Sequence, residues 1–211
     1  MVSLFSPRPS ASMPATPPAA VEKVDAVHFD IATTNTLNAR AEYEDGFELD
    51  LHQNYAFDVA GALHMPGVIA AEQLHVLNST LDGVDAAMLT CLLDLPTPAR
   101  EPFRDLLVQP QVVATLNQLI GSGYRLNCQP QLLSDATCDT AAPLAGGNEP
   151  RNPARAYYFQ NGKRYCQSVH LLFALADVGE SDGGFVYVPC THRANIPTPL
   201  DVLTGVDDMG A

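Results

Sequence analysis

The chain has 211 residues, 46% of them hydrophobic, and its 24 acidic residues outnumber 11 Lys and Arg for a formal net charge of −13. That length and apolar content suit one soluble globular domain. The acidic balance excludes a protein built to grip nucleic acid or an anionic membrane surface, since both need clustered Lys and Arg to meet phosphate, and no apolar run is long enough to span a membrane.

Taken in chain order, residues 1–25 begin "MVSLFSPRPSASMPATPPAA", too rich in Pro, Ser and Ala to bury a core, and are expected to be a disordered tail. They hold no continuous apolar stretch of the secretory kind, which predicts a cytoplasmic protein; several serines and no acid before Glu22 leave an organelle transit peptide as the open alternative. Cys91, Cys128, Cys138, Cys166 and Cys190 form no C-x-x-C pair and are read as reduced thiols. Residues 26–56 are assigned to a variable N-terminal segment and 57–211 to the main domain. "FDVAGALHMPGVI" predicts a short strand and a turn at Pro66-Gly67. "AAEQLHVLNSTLDG" predicts a helix with Leu74, Leu77 and Leu81 on one face and Gly83 as its cap. A second helix is expected over 84–93. A third runs from Gln111 to Ile120, with Val112, Val113, Leu116 and Ile120 as its apolar stripe. The period then shortens. "YRLNCQPQLL" reads as a strand, Tyr157 to Gln160 with "NGKRY" as a hairpin turning at Asn161-Gly162, "CQSVHLLFALADV" as a long buried strand and "GFVYVP" as a shorter one. Helices followed by strands predict an α+β architecture.

The residues that could carry chemistry are few. Two histidines and a carboxylate on one face make an iron(II) site for oxygen chemistry. The chain contains one H-x-D, His28-Phe29-Asp30, but six histidines and 24 acids supply about 0.7 H-x-[DE] matches by chance. Next to a disordered tail, no rigid sheet is expected to hold this pair. His170, between Val169 and Leu171, reads as a sheet histidine satisfied by hydrogen bonds. His52, His64 and His75 read as surface or packing residues. Arg151, Arg155, Lys163 and Arg164 gather in an otherwise acidic chain, near Asn148 and Glu149; they suit either the carboxylate or phosphate of a small anionic ligand or a hairpin edge kept soluble by charge. His192, in "VPCTHRAN", stands as a metal ligand or a loop histidine. The motifs of nucleotide binding, G-x-S-x-G hydrolysis and H-E-x-x-H zinc chemistry are missing.

Three segments in order resemble the phytanoyl-CoA dioxygenase-like family. "FDVAGALHMPGVIAAEQLHVLNSTLD" (57–82) resembles its N-terminal signature, "PFRDLLVQPQVVATLNQLIGSGYRL" (102–126) its helix pair and following strand, and "VHLLFALADVGESDGGFVYVPCTHRAN" (169–195) its "LtDv..gdGGf.vvPGSHK.N" run, with Cys190, Thr191 and Arg193 where Gly, Ser and Lys are usual. The resemblance implies a double-stranded β-helix, a squashed jelly-roll barrel buttressed by N-terminal helices. It also implies iron(II) and 2-oxoglutarate as cofactors and hydroxylation of a small or lipid-like substrate. The histidine of the family's final turn is not an iron ligand, so His192 is expected to order its loop. The first metal histidine of the family aligns with Ala145 in "LAGG", which has no lone pair to give. Gly147 stands where the carboxylate would be, and neither Asp139 nor Glu149 has a reason to aim at the site. The distal histidine and the basic anchor for 2-oxoglutarate are expected beyond Ala211, so the barrel is read as lacking its last strands, with an exposed edge open to a second copy. The resemblance therefore assigns no catalytic, cofactor-binding or metal residue. It leaves an oxygenase with substitute ligands, His28 or His170, against a non-catalytic binding or scaffold protein on the same fold.

Overall fold

A computed structural model of the chain describes residues 3–5, 24–33, 49–82, 84, 91–134, 155–177, 185–194 and 196–204. Its organising element is spelled by the alternation in "VDAVHFDIAT": the strand β2, Val24–Thr33. Val27, Phe29 and Ile31 are at most 1% exposed and face the core. His28 and Asp30, one residue out of phase, face the other way. β2 has antiparallel neighbours on both sides. β7 (Ser168–Ala174) runs along it from Ala26↔Ala174 to Ala32↔Ser168. On the other flank β3 (Tyr124–Leu126) pairs with Ile31 to Thr33 and β4 (Gln131–Ser134) with Val24 to His28. The four strands form one sheet.

One expectation fails at this strand: the His28–Asp30 pair, expected to lack a rigid support, is held by hydrogen-bonded strands on both sides. Residues 24–33, which span the boundary between the tail and the segment after it, form the centre of the sheet. At the N-terminus β1 (Ser3–Phe5) pairs antiparallel with β8 (Phe185–Tyr187).

The helices cover the apolar face of the sheet. α1 (Leu51–Ala60) replaces the strand expected from Phe57, and a capping box explains it: Asp50 Oδ1 accepts from the Gln53 N–H at 2.7 Å while Gln53 Oε1 accepts from the Asp50 N–H at 3.0 Å. α1 stops at Gly61, whose left-handed φ of +77° suits glycine. After the turn at Pro66-Gly67 comes α2 (Ala71–Leu81), with Leu77 and Leu81 buried and Leu74 packed at their side. It is capped by Asp82; Gly83 lies outside the described residues, as does most of the helix expected over 84–93, of which Leu92–Asp94 form a short 3-10 turn. α3 (Glu101–Leu107) and α4 (Pro110–Leu119) each carry Pro in the first turn, where a missing N–H costs nothing. Val112, Leu116 and Ile120 of the predicted stripe are buried.

The expected strand over 124–133 is two strands, because Pro130 has no N–H for a ladder: the Asn127 N–H still keeps the β3 register by donating to the Asp30 carbonyl at 2.8 Å, and pairing resumes two residues out of step at His28↔Gln131. β5 (Tyr157–Gln160) and β6 (Lys163–Cys166) make the predicted hairpin, with Asn161 and Gly162 at φ 52° and 72°. A short helix, α5 (Leu200–Leu203), follows. One cluster joins Val27, Phe29, Ile31, Val169 and Phe173 of the sheet to Phe57, Leu77, Phe103 and Leu116 of the helices. The architecture is α+β, with a four-stranded and two two-stranded antiparallel sheets and no closed barrel among the described residues. No described helix is long and apolar enough to cross a membrane.

Candidate functional site

The sheet face turned away from the helix-packed core brings together His28, Asp30 and His170. His28 and Asp30 share a face because they are two apart on β2, and His170 joins them because it is the register partner of Asp30 on β7. His28 Nε2 lies 2.9 Å from His170 Nδ1. The two rings are parallel within 1° with centroids 5.1 Å apart. That separation is close to the largest that a 2.9 Å nitrogen contact allows, so both nitrogens lie near the line of centres and the rings meet edge to edge in one plane. Lone pairs and N–H bonds lie in the ring plane, so one imidazole donates and the other accepts a single shared proton. His170, expected to be a sheet histidine satisfied by hydrogen bonding, has His28 as its partner.

Burial holds both imidazoles below the usual histidine range. For His28 a Gln131 hydrogen bond and the Asp30 charge pull the other way; for His170 the Asp30 charge opposes while the charge of His28 adds to the lowering. Asp30 is 6% exposed. Its Oδ2 accepts from Asn127 Nδ2 at 2.9 Å and from the Cys128 thiol at 3.7 Å, while its Oδ1 is buried without a hydrogen-bond partner among the described residues. An unpaired buried carboxylate oxygen is costly, which makes it a mark of a place where something else belongs.

A second cluster ties the turn after β8 to α1. His192 Nε2 donates to the Asp58 carbonyl at 3.1 Å, and its ring meets Tyr157 edge-on at 4.7 Å. Arg193 pairs with the Asp58 carboxylate and also donates to its carbonyl, and the Tyr157 hydroxyl donates to the same carboxylate. Burial alone would raise the Asp58 carboxyl, but Tyr157 and Arg193 outweigh it and hold the group below its ordinary value. Burial and the Asp58 bond push the Tyr157 phenol up to about 12. Burial lowers His192. A Cβ on Gly61 would collide with the His192 ring, so the glycine serves both the helix cap and this close approach. His192 orders its loop; a cavity of about 40 Å³, lined by Arg155, Tyr157 and Ser168 among others, separates it from His170.

The remaining candidates disperse. His52 and His75 are exposed on α1 and α2, and His64 is exposed before the Pro66 turn. Ala145, Gly147, Asp139, Glu149, Asn148, Arg151 and Cys138 lie outside the described residues. Lys163 and Arg164 lie on β6, and Arg155 just before β5. Cys91 is buried, and Cys128, Cys166 and Cys190 are free thiols. Among the described residues no group of three His, Cys, Asp or Glu side chains is placed to hold a metal ion. Searches with the chain found no matching family model, curated protein or solved structure.

The donor set at His28, Asp30 and His170 nevertheless suits a borderline divalent ion such as iron(II). The fit is one of donor chemistry only: the 2.9 Å between the two nitrogens is that of a hydrogen bond, and one ring has to turn before both lone pairs can serve a common ion.

Proposed function

We propose that the chain is a phytanoyl-CoA dioxygenase-like protein of the non-haem iron(II)/2-oxoglutarate oxygenase class, hydroxylating a small or lipid-like substrate. In this reading the four-stranded sheet is one wall of a double-stranded β-helix, and His28, Asp30 and His170 are the metal ligands that the aligned position, Ala145, cannot supply. The observation that carries it is the meeting of His28 and His170 on the sheet face that also bears Asp30, whose Oδ1 is buried and unpaired. Iron, when bound, supplies activation of dioxygen through decarboxylation of the oxo acid. The chain's own residues do the rest. Asn127 and Cys128 fix one carboxylate oxygen and leave the other to the site, burial keeps both imidazoles uncharged so that each keeps a lone pair at neutral pH, and the helix-packed core holds both strands rigid. Free thiols suit a reducing compartment such as the cytoplasm. The outer edge of β7, unpaired among the described residues, is where further strands or a second copy would add.

The test is an anaerobic iron(II) titration of the purified chain with and without 2-oxoglutarate, followed by calorimetry and by the absorbance of the chelate. Stoichiometric binding that is lost in His28→Ala and in His170→Ala supports the reading. Absence of binding by folded protein sinks it. The second reading, a non-catalytic binding protein on the same scaffold, is favoured by the shared proton between the two histidines, which closes the site; it predicts ligand binding that ignores iron.

A further inference from the structure

A separate cleft, on the hairpin side of the molecule, has a ligand chemistry of its own. It measures about 440 Å³ and is lined by Asn54 of α1, Asn117 and Leu119 of α4, and Phe159, Lys163 and Arg164 of the β5–β6 hairpin. That volume lies within the range of small-molecule sites. Arg164 brings a positive charge to one wall and Lys163, the exposed residue before it on β6, an ammonium at the rim, in a chain whose net charge is −13. No carboxylate among the described residues lies within ion-pairing distance of either. Asp58, the acid whose charge Arg164 influences, is already committed to Arg193 and Tyr157.

The guanidinium is positioned rather than consumed. Asn54 Nδ2 donates to the Leu49 and Asp50 carbonyls at 2.8 and 3.1 Å, which turns its Oδ1 toward Arg164. That oxygen accepts from both Nη atoms at 3.2 and 3.3 Å, and the guanidinium carbon stands 5.8 Å from the centre of the Phe57 ring. One carbonyl oxygen leaves each Nη a second N–H, while Nε is buried without a partner among the described residues. A planar fork with spare Nη donors beside an exposed ammonium is the arrangement that receives a carboxylate.

The other walls narrow the class. The C-terminal end of α4 borders the cleft, and its partial negative charge opposes a doubly charged phosphate more strongly than a singly charged carboxylate. Phe159, 61% exposed, offers apolar surface to a carbon skeleton. We infer that this cleft binds a small organic monocarboxylate, with its carboxylate on Arg164 and Lys163 and its apolar body against Phe159. The site is independent of the histidine cluster and requires no metal.

Calorimetric titration of the full chain in EDTA with butanoate, benzoate and phenylacetate tests this, with phenylacetamide and inorganic phosphate as contrasts. One-to-one binding of at least one carboxylate is expected, weaker by about tenfold or more for the amide and for Lys163→Glu, since a charge-assisted bond is lost in each. Arg164→Gln is expected to do the same. Lys163 is exposed, so Lys163→Glu keeps the fold, as circular dichroism will register, and its titration is decisive even if Arg164→Gln fails to fold. Binding is expected to survive in His28→Ala, which separates this site from the iron reading. No saturable binding to folded protein, equal binding of the amide, or unchanged affinity in Lys163→Glu would overturn the inference.

Discussion

The two faces of β2 are built from alternate residues of one strand and serve opposite ends. Val27, Phe29 and Ile31 are buried against helices and against Val169 and Phe173, where each added methylene is stabilising. His28 and Asp30, interleaved with them, form a polar face with His170 in which a carboxylate oxygen has no partner among the described residues and two imidazoles share a proton. A face selected only for stability would hold apolar residues there, since buried polar groups gain little over well-packed hydrophobes. One face holds the fold together. The other spends some of that stability on a polar constellation, the usual mark of a site.

That contrast is open to attack. Phe29→Ala removes a side chain 1% exposed, in edge-to-face contact with Phe173 at 5.8 Å, and is expected to cost about 3–5 kcal/mol, read by chemical denaturation; a cost near zero would mean that the helix-facing side is not the core. Gly61→Ala, on the polar side, meets both a positive φ and the His192 ring, and is expected to cost about 1–3 kcal/mol, read as a lower midpoint of thermal unfolding.

The pH dependence tests the polar face as a whole. His28, His170 and His192 are all lowered by burial. Below the unfolded histidine value of about 6.5 the unfolded chain takes up protons that the folded chain refuses, so the stability they contribute is full above that pH and is lost as pH falls toward their folded values. The midpoint of unfolding is expected to fall between pH 7 and pH 5, with a shallower slope in the double variant His28→Gln/His170→Gln. An identical slope would show that neither histidine is held neutral. The smallest effect is the most telling: His28→Leu/His170→Leu removes both partners of one hydrogen bond together and is expected to change stability by less than about 1 kcal/mol, while abolishing iron binding if the proposed ligands are right. A loss as large as that of Phe29→Ala would make the pair structural.

Much of the helical layer was legible because local signals agreed with the tertiary result. The stripe Val112, Leu116, Ile120 and the Asn161-Gly162 turn each encode their structure within a few residues. α1 was misread from Phe57 onward although Asp50 and Gln53 carry its start signal, since the cap lies seven residues upstream of the stretch that looked strand-like. The strand β2 was also written plainly, in the alternation Val27, His28, Phe29, Asp30, Ile31, but its neighbourhood of tail-like composition concealed it. His28 and Asp30 stand in the sequence as a motif with no visible scaffold.

By itself, the sequence determined the period of each element and therefore which residues share a face: His28 with Asp30, Val169 with Leu171 and Phe173. It also determined the charge balance, an acidic chain in which Arg151, Arg155, Lys163 and Arg164 gather in one stretch. Only the tertiary structure decided that β2 and β7, more than 130 residues apart in the chain, pair with Asp30 opposite His170. Register between distant strands depends on the whole core closing at once, and a one-residue slip would turn His170 to the helices and Val169 to the site.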